Sequence, residues 1–425
     1  MSVRFRFDWV DAGPSPDALA RDTMAALTIE AGNATVTSVI DRRNGLYRSH
    51  VVTPLFSVAE WLVGNWWHIW YEVEDAGAQR IDFESRHNLA FAGDGFVLPS
   101  LTMVPMSGRM QLRWMKRRPR HAGIEFVDSG EQDVEGQALE TELRRLVDAV
   151  LERLRNVPGH ERFTNMLDEA WAAVNGLDAE EREFSRAAAL LGVDPFDVQD
   201  SLADAIAAFW EGTDPAIRAD ALAGADASGD SLQRVGEWLA GARDALAIAG
   251  NGHDWADIRA GLPRLANAAP WTRGYDLART VRRRLGADDG RFDFGVNGVP
   301  AAAHRDMQPP SRRIHGLVAA EAPACVTVPR GESGTRFLRA RALGDYLGRP
   351  QPALGLLSSL ATDRQQQSRA FAAELLAPAA SLRARLPGEL VEVERVDDLC
   401  GEFGVSSEVI RRQIENHGLG RIVVC

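Results

Sequence analysis

The hydrophobic repeat changes period near Gln137, and this change constrains the fold more than any other feature of the chain. Before it, apolar residues alternate. In VRFRFDWV, Val3, Phe5 and Phe7 fall on one side and Arg4, Arg6 and Asp8 on the other, the period-two pattern of a half-buried strand. ALTIEA, TVTSVID, GFVLPSLTMVP, MQLRWMKR and IEFVDS are further strand candidates. One stretch interrupts them: PLFSVAEWLVGNWWHIWYEVED sets Leu55, Val58, Trp61, Leu62 and Trp66 at three-to-four spacing and reads as helix. After Gln137, ALETELRRLVDAVLERL aligns Leu139, Leu143, Leu146, Val147, Val150 and Leu154 on one helical stripe. REFSRAAALLGVDPFDVQDSLADAIAAFWEG and SLQRVGEWLAGARDALAIA extend the helical region. From PWTRGYDLARTVRRRLG onward the two periods mix. A long loop rich in Gly and Pro leads to short strands IHGLVA and ACVTVP, then to helices at roughly 335–347, 364–377 and 396–418.

The expected fold class is therefore α+β in three parts. These are a strand-rich domain over 1–135 with a Trp-rich helix, a helical domain over 136–262, and a C-terminal domain over 263–425. A length of 425 residues exceeds what one core usually serves. A net charge of -12 argues against a general attraction to nucleic acid or anionic lipid. The basic runs Lys116, Arg117, Arg118 and Arg120, and Arg282 to Arg284, read as solvated faces. No apolar run reaches the eighteen or so residues of a membrane span, and the N-terminus lacks a signal-peptide core, so a cytoplasmic protein without membrane contact is expected. The three cysteines, Cys325, Cys400 and Cys425, form no CxxC pair and indicate neither a disulfide framework nor a thiolate zinc site.

Two constellations are candidate binding sites on residue type alone. Trp61, Trp66, Trp67 and Trp70, with His68 beside them, could wall a pocket for a peptide or small ligand; the same residues serve equally well as a core anchor. His68 and Glu72, four apart, are weak metal evidence without further ligands. VDDLCGEFGVSSEVIRRQIENHGLG has the pattern of a helix-turn-helix, with Gly404 at the turn and Ser406 as N-cap. Its second helix would offer Arg411, Arg412, Gln413 and Asn416 to DNA. Glu408, Glu415 and the acidic chain count against that use.

From about Pro270 to Gly420 the order of features resembles the ImmA/IrrE family of zinc metallopeptidases. The residues that carry the likeness are Arg336-Phe337, the Leu343-Gly344 pair, the run Phe371-Ala372-Ala373-Glu374-Leu375-Leu376-Ala377-Pro378, and the helical pair after it. The resemblance covers roughly a third of the chain and implies a zincin-like domain. Such a site needs two histidines one helical turn apart, a glutamate between them as base and a third ligand. At the corresponding positions stand Arg341, Ala342 and Asp345, with Gln367 where the third ligand is expected. None of the nine histidines makes an i,i+3 or i,i+4 pair.

The resemblance thus implies a metallopeptidase fold with no metal, no cofactor and no catalytic residues. The function expected of it is regulation or sensing through a bound peptide or protein partner, in bacterial stress response or in defence against phages and mobile elements. In such a cleft Arg341 is expected to occupy the metal position and pair with Asp345, with Gln367 hydrogen-bonded nearby. Two alternatives stay open at this level: an active peptidase with a site rebuilt from His315, Asp363 or Glu374, and a DNA-binding transcriptional regulator.

Overall fold

A computed structural model describes residues 2–11, 17–75, 80–120, 123–248, 255–262, 268–287, 289–304, 309–386 and 388–423. Cys425 lies outside them. The fold is mixed α+β and divides into two compact units, Met1–Gln199 and Asp200–Cys425. The helical segment 136–262 is split between these units.

In the first unit the alternation of the opening residues becomes the strand Val3–Trp9. It pairs antiparallel with Met24–Ala31, from Val3 opposite Ala31 to Trp9 opposite Ala25. Ala34–Thr35 and Val51–Pro54 pair with Met24–Ala31 as well. The helix Gly136–Arg155 buries all six members of its apolar stripe. Glu142 on that helix accepts a hydrogen bond from the Phe5 amide at 2.8 Å. The Trp-rich stretch forms two helices, Leu55–Gly64 and Trp66–Tyr71, broken at Asn65, whose amide side chain donates to the Trp61 carbonyl at 2.8 Å. An antiparallel meander follows: Ser100–Met106, Arg109–Met115 and Gly130–Glu135. Its first turn is made at Gly108, whose φ of 70° is cheap only for glycine. Two further helices, Glu161–Gly176 and Ala179–Leu190, complete the unit; an Asp178–Glu181 capping box starts the second.

The second unit opens with the helices Asp200–Gly212, Arg218–Ala223 and Gly229–Ile248. Its sheet runs in the order Ala303–His304, Cys325–Thr327, Ile314–Val318, Gly355–Ser358. Against it lie the helices Glu332–Gly348 and Asp363–Leu376, with Pro270–Leu285 packed on the latter. The expected long loop after Leu285 is more than a connector, because Phe292, Phe294 and Val299 are buried in the core. Arg282, expected on a solvated face, is also buried and donates to the carbonyls of Leu375 at 2.6 Å and Gly290 at 3.0 Å. The chain closes with the helices Val393–Phe403 and Ser407–Asn416, flanked by the parallel strands Leu390–Glu392 and Arg421–Val423. No helix among the described residues is long and apolar enough to cross a membrane.

Candidate functional site

Arg341 sits in the middle of the helix Glu332–Gly348 and is only 2% exposed. Its guanidinium turns inward, toward the helix Asp363–Leu376. It donates to the Gln365 side-chain oxygen at 2.6 Å, to the Ser358 carbonyl at 2.9 Å and to the Ser368 hydroxyl at 3.3 Å, and its remaining arm approaches His315 Nδ1 at 3.5 Å. Burial and the nearby Arg369 push its pKa down to about 9, opposed by the attraction of Asp345, so it stays charged at neutral pH. Burial, then Arg341 and Arg330, push the His315 pKa down to about 4, which leaves a neutral imidazole beside the guanidinium.

The expected pairing of Arg341 with Asp345 is not what the fold makes. Asp345 is held by Arg364 at 2.5 Å and by Arg349, one turn along its own helix, at 2.9 Å. Burial opposes its charge, but Arg364 and Arg349 outweigh burial and keep its carboxyl below the usual range. The reason is reach: a long arginine side chain at 341 crosses to the facing helix, whereas the short aspartate takes the cations at its own end of the cleft. Gln367 is likewise not the residue that meets Arg341. It lies against Gly348, where an added Cβ would come within 2.4 Å of its amide nitrogen. The amide facing Arg341 is Gln365, fully buried and satisfied at both ends: it also accepts from the Ser358 amide at 3.0 Å and donates to the Leu356 carbonyl at 2.7 Å and Asp220 at 3.0 Å. Its spacing was a usable signal, since residues 365, 368 and 372 share one helical stripe.

Chemically this arrangement is a filled polar core. A guanidinium has no lone pair to give a metal, and Ala342 offers no base. Among the described residues, no group of three or more His, Cys, Asp or Glu side chains is placed to hold a metal ion. The two motif residues that survive, Leu343 and Gly344, are packing residues. Leu343 is fully buried, and a Cβ at Gly344 would lie 2.4 Å from the Phe371 ring. Gly355 serves the ion cluster in the same way: a Cβ there would fall 2.0 Å from an Asp345 oxygen.

Glu374, from the Phe-Ala-Ala-Glu-Leu-Leu run, is 1% exposed and joins separate stretches of the second unit. It accepts from Arg279 at 2.8 Å, from the Ala379 amide at 3.2 Å and from Gln413 at 2.9 Å, and it lies 3.6 Å from His417. Gln413 is therefore not available to read bases: it is fully buried, with its second donor bond to the Ala377 carbonyl at 2.8 Å. Asn416 donates to the Tyr275 hydroxyl at 3.2 Å, and Arg412 is exposed but paired with Glu408 at 2.9 Å. Arg411 is half-buried. The helix-turn-helix outline is real, with Gly404 at φ 66° ending the first helix, but one side of the second helix is part of the core.

In the first unit the Trp-rich block separates into three environments. Trp61 donates its indole N–H to the Ser85 carbonyl at 3.0 Å. His68 turns to Glu72, 3.1 Å away. Glu72 also takes Arg86, with Nε at 2.7 Å, and His87 at 3.3 Å. Burial opposes the charge on Glu72, but the hydrogen bonds from Arg86, His68 and His87 outweigh it and hold the carboxyl far below its usual range. Trp66, Trp67 and Trp70, joined by Tyr71, line a cavity of about 750 Å³. Arg144, Arg182 and Arg186 reach the same cavity from sequence-distant helices, a convergence with no local signature.

Compared with family models, with curated proteins and with solved structures, the chain finds no match.

Proposed function

We propose that this protein is a non-catalytic pseudo-metallopeptidase of the ImmA/IrrE type. In this reading it acts in the bacterial cytoplasm as a regulatory or sensing protein that binds a peptide or protein partner without cutting it. The observation that carries the reading is Arg341. It occupies the position of the first histidine, is buried, and uses its donors on Gln365, Ser358 and Ser368. Support also comes from what the motif keeps. Leu343 and Gly344 are retained where packing needs them, while each position that would touch a metal or a water has changed. The regulatory setting follows from the resemblance alone.

The test is metal content and peptidase activity of the purified full chain, with and without added zinc. Zinc well below one per chain and no hydrolysis are expected. Near-stoichiometric zinc, lost in an Asp345→Ala variant that still folds, would refute the reading.

A further inference from the structure

We propose that the cavity of the first unit binds a nucleoside phosphate, with the base stacked among Trp66, Trp67, Trp70 and Tyr71 and the phosphate held by Arg182 and Arg186. The inference rests on the first unit alone and stands or falls independently of the lost metal centre.

Three observations converge. The first is shape and surface. The volume of about 750 Å³ lies within the range of small-molecule sites and exceeds what one buried water or side chain would need. Its aromatic lining offers flat apolar rings, among which Trp67 and Tyr71 are stacked at 5.8 Å between centroids.

The second is unspent hydrogen-bonding capacity. Among the described residues, the indole N–H groups of Trp67 and Trp70 are buried without an acceptor, and Trp67 as a whole is 8% exposed. A buried donor left unmet costs about 1–3 kcal/mol, so a ligand acceptor there gains what the empty protein lacks. By contrast, the acceptors on the wall are already used. Glu140 and the Asn175 side-chain oxygen both accept from Arg144, whose guanidinium also lies over the Trp66 ring at 4.8 Å. What the cavity still offers is donors, which suits the ring nitrogens, carbonyls and phosphate oxygens of a nucleotide. A peptide backbone would ask for acceptors in equal number.

The third is charge. Arg182 and Arg186 are one turn apart on the helix Ala179–Leu190, so both reach the cavity from one face. Among the described residues neither has a carboxylate within ion-pair distance, whereas Arg109 and Arg144 on the same wall are paired with Asp133 and Glu140. Arg186 lies 5.5 Å from the centre of the Tyr71 ring, at the boundary between the aromatic and cationic parts of the lining. Two unpaired forks beside an aromatic wall match an anionic group attached to a flat ring.

The probes are the four ribonucleoside 5′-monophosphates and triphosphates, titrated into the full chain by calorimetry, with the parent nucleosides and inorganic phosphate as controls. At least one nucleotide is expected to bind saturably, with its nucleoside and phosphate each at least about tenfold weaker. Arg182→Gln with Arg186→Gln is expected to weaken that nucleotide by about tenfold to a hundredfold and to flatten its salt dependence. Unchanged thermal unfolding will show that this variant folds. Trp70→Phe, which keeps a ring and removes the N–H, is expected to weaken binding several-fold. The proposal is overturned if no nucleotide of the panel binds at millimolar concentration, or if the double variant binds as the parent does. An oligonucleotide held more tightly than every mononucleotide would also overturn it, since the site would then serve a polymer.

Discussion

The chain carries two arginine-rich polar clusters that differ in whether their donors are spent. In the second unit, Arg341, Arg349 and Arg364 are buried around Asp345, Gln365 and Ser358, and the guanidiniums are met by protein groups. In the first, Arg182 and Arg186 face a cavity beside indole N–H groups without acceptors. A satisfied buried network holds structure, and an unsatisfied one at a cavity wall is capacity for a ligand. Charge number alone does not separate a structural cluster from a binding cluster; the count of unmet donors does.

The largest test of that contrast is Asp345→Asn. It leaves Arg349 and Arg364 buried without their counter-charge, and a loss of about 3–5 kcal/mol is expected in denaturant unfolding. Hydrogen exchange should place the loss in Glu332–Gly348 and Asp363–Leu376. A loss below about 1 kcal/mol would mean that the cluster is solvated, as surface pairs are.

Acidification should separate the two units next. Folding holds the His315 pKa down at about 4. An unfolded histidine titrates near about 6.5, so the unfolded state binds the proton first. The stability from the neutral imidazole is whole above the unfolded value and falls as pH drops toward the folded one. After allowance for partial exposure the loss is on the order of 2 kcal/mol. Glu72 in the first unit has the opposite kind of shift: a depressed carboxyl, whose stabilisation persists until pH falls below about 4.3 and is lost toward its lower folded value. Between these ranges the second unit should loosen first, and His315→Phe should remove most of the difference. Equal loosening of both units, measured by hydrogen exchange at pH steps, would erase this part of the contrast.

Gln413→Ala should cost about 1–3 kcal/mol, because it strips a buried donor from Glu374 and from the Ala377 carbonyl. Smallest of all, the Arg182→Gln and Arg186→Gln pair should change stability by no more than about 0.5 kcal/mol, since these exposed guanidiniums have no ion-pair partner to lose. Large destabilisation there would turn the cavity wall into a second structural cluster.

Local pattern in the sequence was enough for much of the fold. The alternation of Val3 to Trp9, the stripe of Gly136–Arg155 and the Gly192-to-Pro195 break before Asp200–Gly212 all follow from side-chain period and turn chemistry. The strand Gly130–Glu135 was hidden, because GEQDVE is mostly polar and gains its place from pairing with Arg109–Met115. Ala379–Arg385 was hidden by its brevity and by Pro378 before it. At the candidate sites, residue identity was legible but partnership was not. Arg341 turned inward as its position implied, yet its partners are set by the offset between two helices, which no local spacing encodes. The cavity shows the same limit, since Trp66 and Arg186 are 120 positions apart in the numbering yet share one wall.

Glu374 has a consequence for the order in which the second unit is made. Its partners Arg279 and Gln413 stand 95 residues before it and 39 residues after it. During synthesis the carboxylate emerges well ahead of Gln413, and until that residue arrives water must serve in its place. Final closure of this core therefore waits on the last helix, and a nascent chain stopped short of it would hold a hydrated charge at its centre instead of a packed one.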